Sequence, residues 1–199
     1  MEVLERLAKY KIVLASQSPR RQYLLKELGL KFEIISKSDI KEEYPADLPC
    51  SEIPVFLAKL KAQACMTAAN SDTIIIAADT IVCLDNKVLG KPRDYYDAVK
   101  ILKELSGNKH QVITGICIKS EKREKTFFVK SEVYFKHLTD SEINYYIEKY
   151  KPFDKAGSYG IQEWIGYIGI KKIEGSYFNV MGLPTQQLFD ELSKFIEKD

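Results

Sequence analysis

The sequence has 199 residues, 45% hydrophobic and 29% charged, with seven Pro and ten Gly. That composition belongs to a globular protein of one large domain or two lobes sharing a core, able to bury roughly 70% of its unfolded surface, and it excludes disordered, collagen-like and coiled-coil chains. Thirty Lys and Arg against 28 Asp and Glu leave a net charge of +2, which argues against a nucleic-acid partner but leaves room for a local cation cluster that holds a small anion.

Residues 11–16, KIVLAS, are a short β-branched apolar run followed by the Pro-containing turn SQSPRR, after which Tyr23, Leu24, Leu25 and Leu28 recur at helical spacing up to Gly29. Strand, loop and helix are predicted. Residues 32–35 read as a second strand, and residues 36–52, with Pro45, Pro49 and many charges, read as an exposed loop or lid. Pro54 suits the first turn of a helix in which Phe56, Leu57, Leu60, Ala64 and Cys65 share one stripe. Residues 72–84 are nearly continuous in Ile, Val and Ala, as a strand buried on both faces is, and Asp85-Asn86 turns the chain into a return strand ending at Gly90.

Asp94 offers a cap for a helix over residues 95–105, with Ser106-Gly107 as its stop. Two β-rich stretches, 110–119 and 126–138, are joined by the charged turn EKREK. Thr139 to Glu142 has the capping-box order ahead of a helix over 141–150. A Gly-rich aromatic stretch, 157–177, precedes a final amphipathic helix over 185–196. This alternation, without repeat or linker, predicts a single α/β domain over residues 1–199. Its mixed, largely central β-sheet is flanked by helices and forms two lobes with a substrate groove between them.

The cysteines, Cys50, Cys65, Cys83 and Cys117, include no C-x-x-C pair, so buried reduced thiols are expected rather than a zinc or redox centre. The N-terminus lacks the order of a signal peptide, and the longest fully apolar run, residues 74–78, is far too short to cross a bilayer. A cytoplasmic protein without membrane contact is expected.

Several places carry candidate chemistry. The loop Ser16-Gln17-Ser18-Pro19-Arg20-Arg21 lies where a strand meets a helix N-terminus, a site that favours anions, although Ser18 as a plain cap with solvated arginines reads equally well. Asp79 interrupts one of the most apolar stretches and needs a metal, a cation or donors, unless the strand ends there and it reaches solvent. Lys61 and Lys91 acquire interest only if both point into the cleft that holds Asp79. The segments 154–162 and 175–184, rich in Gly, Tyr and amides, fit either structural turns or a base-binding wall. His110, His137, Trp164 and the Tyr145, Tyr146 and Tyr150 group read as packing.

Taken in order, LASQSPRR, LAKLKA, AADTIV, GKP, HQVITGI, DKAGSYGIQ and GSYFNVMGLP resemble the Maf family of nucleoside triphosphate pyrophosphatases over nearly the whole chain. The resemblance implies hydrolysis between the α and β phosphates, giving a monophosphate and pyrophosphate, with a divalent cation, Mg²⁺ or Mn²⁺. It makes Asp79 the proton acceptor for the attacking water and a metal ligand, and Ser16, Arg21, Lys61 and Lys91 the groups around the triphosphate. Glu42, with Glu43 as its rival, matches the loop carboxylate that shares the metal. Arg20, Thr80 and Gln162 match the positions that discriminate the nucleobase, and their combination looks like the subgroup acting on dTTP and UTP. Which of the three touches the base is open. Trp164 departs from the small residues common there and is expected to narrow the pocket rim.

The resemblance also implies a house-cleaning role in the nucleotide pool with a link to cell-division control, and a homodimer. Rival readings are a pyrophosphatase of 7-methyl-GTP or damaged purine triphosphates, and a nucleotide-sensing module with little turnover. Sensing needs the cations but no water-activating carboxylate, so Asp79 separates it from the enzyme readings.

Overall fold

A computed structural model describes residues 2–35, 37, 40–66 and 70–197. Its axis is β3 (Thr73–Leu84), twelve residues of mostly Ile, Ala and Val buried along nearly their whole length. On one side β3 pairs in parallel with β1 (Lys11–Leu14), which pairs in parallel with β2 (Glu33–Ile34). On the other it pairs antiparallel with β5 (Lys109–Lys119), followed by β6 (Glu124–Phe135) and β7 (Ile170–Glu174), so the sheet runs β2-β1-β3-β5-β6-β7. The short β4 (Lys87–Leu89) folds back on the end of β3 through Asp85 and Asn86, both at positive φ as a tight turn requires.

This pairing leaves a gap. β1 covers β3 from Thr73 to Ile76 and β4 covers it from Val82 to Leu84, so the intervening residues 77–81 have no strand on that edge. Helices close the rest: α2 (Pro19–Glu27) follows β1, and α3 (Ile53–Cys65) precedes β3. Beyond β4 come α4 (Tyr95–Leu105), α5 (Asp140–Tyr150), α6 (Trp164–Gly169), α7 (Tyr177–Met181) and α8 (Thr185–Glu197), while α1 (Glu2–Leu7) opens the chain.

The two faces of β3 show where the core divides, because successive side chains alternate across a sheet. On one face Ile74, Ile76 and Ala78 join Leu24 and Leu25 of α2 and Leu188 and Leu192 of α8. Farther along that face Val82 joins Leu102 and Leu105 of α4 and Ile143 and Tyr146 of α5. Between these two apolar lobes sits Thr80. On the other face Ile75 and Ala77 meet Ala58 and Ala62 of α3, Ile81 and Cys83 meet Ile53 and Leu57, and Asp79 lies between. The polar pair therefore stands where the lobes part, beside the gap in the sheet.

Gly115 of β5, opposite Asp79 in the register, lets α3 lie this close: a Cβ there would stand 2.2 Å from the backbone of Pro54 and Val55. Asp94 caps α4 by accepting from Asp97 N–H, and Thr139 with Glu142 closes the capping box of α5, both as the sequence predicts. Other expectations are corrected. The buried stripe of α3 runs through Leu57, Ala58, Ala62 and Cys65, with Phe56, Leu60 and Ala64 only partly covered. α1 is present although its six residues, EVLERL, are too short for a period, and the stretch 157–177 folds into α6, β7 and the start of α7. Residues 36, 38, 39 and 67–69, within the predicted lid and helix, lie outside the described residues.

The expectation of four reduced thiols is also corrected. Cys50, just before α3, and Cys83, near the end of β3, form a disulfide with Cα atoms 6.7 Å apart, while Cys65 and Cys117 are free and buried. Sequence spacing could not show that α3 brings its leading loop back over the strand it precedes. Among the described residues no helix is long and apolar enough to cross a membrane.

Candidate active site

Asp79 is buried, and Lys61, about two turns into α3, places its ammonium 2.5 Å from Asp79 Oδ1 and 2.9 Å from Glu42 Oε1. Strand, helix and the loop before the helix meet at this one nitrogen. Burial would raise the Glu42 carboxyl, but its hydrogen bond to Lys61 and the charges of Lys61, Lys91 and Arg21 outweigh that and hold it below the ordinary carboxylate range. Glu42 is thus the loop carboxylate that reaches Asp79's cation.

Behind Asp79, on the opposite face of β3, the guanidinium of Arg21 is pinned from several directions. Nε donates to Gly182 O (2.9 Å), Nη1 to Ala78 O (2.8 Å) and Ser16 Oγ (3.4 Å), and Nη2 to Thr80 Oγ1 (2.9 Å). Ala78 O belongs to the bare edge of β3, so Arg21 satisfies backbone that no strand covers. Burial works against its charge and lowers its pKa, with Asp79 opposing that effect. Thr80 Oγ1 also bonds Thr114 Oγ1 at 3.0 Å, and Thr114 donates onward to Asn179 O. Ser16, not Ser18, supplies the hydroxyl in the first loop: Ser18 makes no side-chain cap, and its N–H donates to Ser16 Oγ.

A cavity of about 330 Å³ runs from these groups along the gap in the sheet, lined by Ser18, Arg20, Arg21, Glu42, Lys61, Asp79, Thr80 and Lys91 at its charged end. A second hollow of about 410 Å³ adjoins it around Ser16, Gln17 and Lys37 and shares Arg20, Arg21, Glu42, Lys61 and Lys91. The first cavity ends against Tyr159, Gly160, Ile161 and Gln162, where Gln162 Oε1 is buried without a hydrogen-bond partner. Ser16, Arg20, Arg21, Glu42, Lys61, Asp79, Thr80, Lys91 and Gln162 thus each line one or both of these adjoining hollows, and Glu43 lines neither.

Several residues do otherwise than expected. Asn179 is fully buried and ties Val112 O and Ser131 Oγ; it holds α7 to the sheet and does not face the cavity. Trp164 is not among the lining residues, because its ring packs edge-on against Tyr145 at 4.8 Å, so it does not narrow the rim. His110 is buried and bonds Tyr159 OH at 2.8 Å, a core position as the sequence suggests. The side-chain pairing within and around the segment 154–162 is not readable from the sequence: Asp154 accepts from Arg20 (3.3 Å) and Lys155 (2.8 Å), Lys155 also meets Glu163 (3.1 Å), and Tyr146, expected as packing, bonds Glu163. Apart from the neighbours Asp154 and Lys155, these partners are not adjacent in the chain, and no local pattern records them.

A groove of this kind, cationic and carboxylate-bearing at one end and lined by Tyr159, Ile161 and Gln162 at the other, fits a small anionic ligand. The Maf-like protein family matches residues 11–195, and the chain belongs to that family. A dTTP/UTP pyrophosphatase of Phocaeicola vulgatus is 54% identical over 192 residues, 96% of this chain and 100% of the relative. Another of that name, from Porphyromonas gingivalis, is 50% identical over 199 residues, 99% of this chain and 100% of the relative. Among solved structures, a HAM1 protein of Coxiella burnetii shares 13% identity at a TM-score of 0.49, with 96% of this chain and 100% of that one covered.

Proposed function

We propose that the protein hydrolyses dTTP and UTP to the nucleoside monophosphate and pyrophosphate in the cytoplasm. The observation that carries this reading is the polarity of the groove: Asp79, Lys61 and Glu42 at one end, an orphaned acceptor on Gln162 at the other. Membership in the Maf-like family and the names of full-length relatives about half identical in sequence support it.

The triphosphate, about three to four negative charges, is met by Lys61, Lys91 and Arg20, whose ammonium and guanidinium groups offset the charge that builds on the departing pyrophosphate. Arg21 gives most of its donors to Ser16, Ala78, Thr80 and Gly182, so it holds the loop and strand edge in register and keeps at most one N–H for a phosphate oxygen. Asp79 accepts the proton of the attacking water, and Lys61 holds its carboxylate in place. Tyr44, Leu57 and Ile81 line the same cavity and limit water there.

A divalent cation fits the donor set. Two carboxylates, Asp79 and Glu42, already share one positive charge, and their hard oxygens suit Mg²⁺ or Mn²⁺. Among the described residues no cluster of three or more His, Cys, Asp or Glu forms a cage, so substrate phosphate oxygens would complete the shell. When bound, such an ion neutralises phosphate charge and makes water a better nucleophile.

At the base end, Gln162 Oε1 needs a donor, which uracil and thymine supply at N3–H; cytosine presents a lone pair there. One mispaired buried group costs about 1–3 kcal/mol, roughly a ten- to hundred-fold preference for UTP over CTP. A nucleotide panel with Mg²⁺ or Mn²⁺, with products separated chromatographically, tests both parts. UMP and pyrophosphate are expected from UTP; UDP and orthophosphate would overturn the bond assignment, and equal kcat/KM for UTP and CTP would overturn the selectivity.

A further inference from the structure

Gln162 sits on a four-residue turn, Gly160 to Glu163, closed by Glu163 N–H donating to Gly160 O at 3.0 Å. Tyr146 of α5 holds both ends of that turn with one oxygen. Its hydroxyl accepts from Gly160 N–H at 2.9 Å and donates to Glu163 Oε2. The other oxygen of Glu163 pairs with the buried ammonium of Lys155, which also meets Asp154, and Asp154 in turn accepts from Arg20. Phenol, carboxylate, ammonium, carboxylate and guanidinium thus alternate without a break from α5 to the head of α2. The segment that bears Gln162 is thereby linked to Arg20 at the head of α2.

We propose that Tyr146, Glu163 and Lys155 are positioning residues for nucleobase selectivity, holding the Gln162 turn and Arg20 at a fixed separation across the groove. An amide selects between bases only if it cannot swing to suit the wrong one, and a free turn of this kind would let it do so. Around the turn the arrangement leaves little slack: Tyr146 is fully buried, Lys155 is 7% exposed, and a Cβ on Gly160 would come within 2.7 Å of the Glu163 carboxyl, whereas the Asp154 side chain at the Arg20 end is 61% exposed. Tyr146 and Glu163 do not line the cavity, and Lys155, which does, has its ammonium turned to Asp154 and Glu163. Their influence is exerted through Gln162 and Arg20.

The inference rests on the reading of Gln162 as a base contact, and its test keeps the two apart. Steady-state kinetics with UTP and CTP are measured for the wild type, Gln162→Ala, Tyr146→Phe, Glu163→Gln and the double variant Gln162→Ala/Tyr146→Phe, with thermal unfolding as a check of the fold. Removing the Tyr146 hydroxyl is expected to lower kcat/KM for UTP about tenfold, chiefly through KM, while CTP changes less than about twofold. In the double variant the UTP-to-CTP ratio should match that of Gln162→Ala alone, because residues acting through one another do not add. A hydroxyl with a purely structural role would lower both substrates alike and add to Gln162→Ala. If Tyr146→Phe does not fold, Glu163→Gln, which keeps the shape and removes the charge, decides with the same ratio. A ratio shifted by Gln162→Ala but unmoved by Tyr146→Phe and Glu163→Gln overturns the positioning role alone; a ratio unmoved by Gln162→Ala overturns the base contact and this inference with it.

Discussion

A carboxylate inside an apolar strand is stable only with a partner, and at Asp79 the partner comes from a helix eighteen residues earlier in the chain. The pair has opposite consequences for folding and for chemistry. Lys61 holds the Asp79 carboxylate in place, and Asp79 with Glu42 holds the Lys61 ammonium between them in a half-enclosed site. Asp79→Asn preserves the shape but removes the proposed base and one of the two anions around Lys61. Pyrophosphate release from UTP should fall about 10²–10⁴-fold while the thermal transition stays cooperative. Turnover above half the wild-type rate in a folded variant would contradict the assignment. Asp79 is legible in the sequence because a charge in such a strand demands explanation. Tyr146 is not, since a Tyr among three in a helix reads as packing until the turn it binds is brought against it.

At the scale of elements, the groove exists because β1 stops at Leu14, opposite Ile76, and β4 reaches only as far as Leu89, opposite Val82, leaving five residues of β3 uncovered on one edge. The long periodic elements were legible: β3 and β5 as apolar runs, α4 and α5 through their caps. Pairing was not, because the bare edge depends on where two strands end relative to a third, and no local pattern records that. The Cys50–Cys83 bridge was hidden for the same reason; it ties the loop after Glu42 to the strand of Asp79. Gly115 is the hinge of this arrangement. In Gly115→Ala the new methyl meets α3 backbone at 2.2 Å, so α3 must move away from β5 and carry Lys61 off Asp79. Overpacking of this kind costs about 1–3 kcal/mol, which for a chain this long lowers Tm by roughly 3–10 °C. The kcat for UTP should fall at least about tenfold with it. A variant with wild-type Tm and kcat would show that α3 does not need this close approach.

For the whole molecule, the pH dependence of stability has a traceable source in the second apolar lobe. His110 is 1% exposed, stacked on Phe135 at 5.5 Å and bonded through Nε2 to Tyr159, while its Nδ1 has no partner. Burial therefore drives its pKa down to about 3, against an ordinary 6.5. The sign follows from which state takes the proton: below pH 6.5 the unfolded chain binds it and the folded one does not, so folding free energy is lost steadily as pH falls, down to the folded value near 3. By pH about 4.5 the loss is about 2–3 kcal/mol, or roughly 5–10 °C in Tm. The carboxylates Glu132, Glu142 and Glu174, held low chiefly by hydrogen bonds to Lys109, Lys136 and Lys172, act in a different window. Their stabilisation is complete well above the ordinary carboxylate value of 4.5 and is lost as pH falls through it. Between pH 7 and 4.5 the slope accordingly belongs chiefly to His110. Thermal melts across that range should show a decline in wild type that flattens in His110→Phe, whose curve is offset downward by the lost bond to Tyr159; parallel curves for the two proteins would assign the acid sensitivity elsewhere.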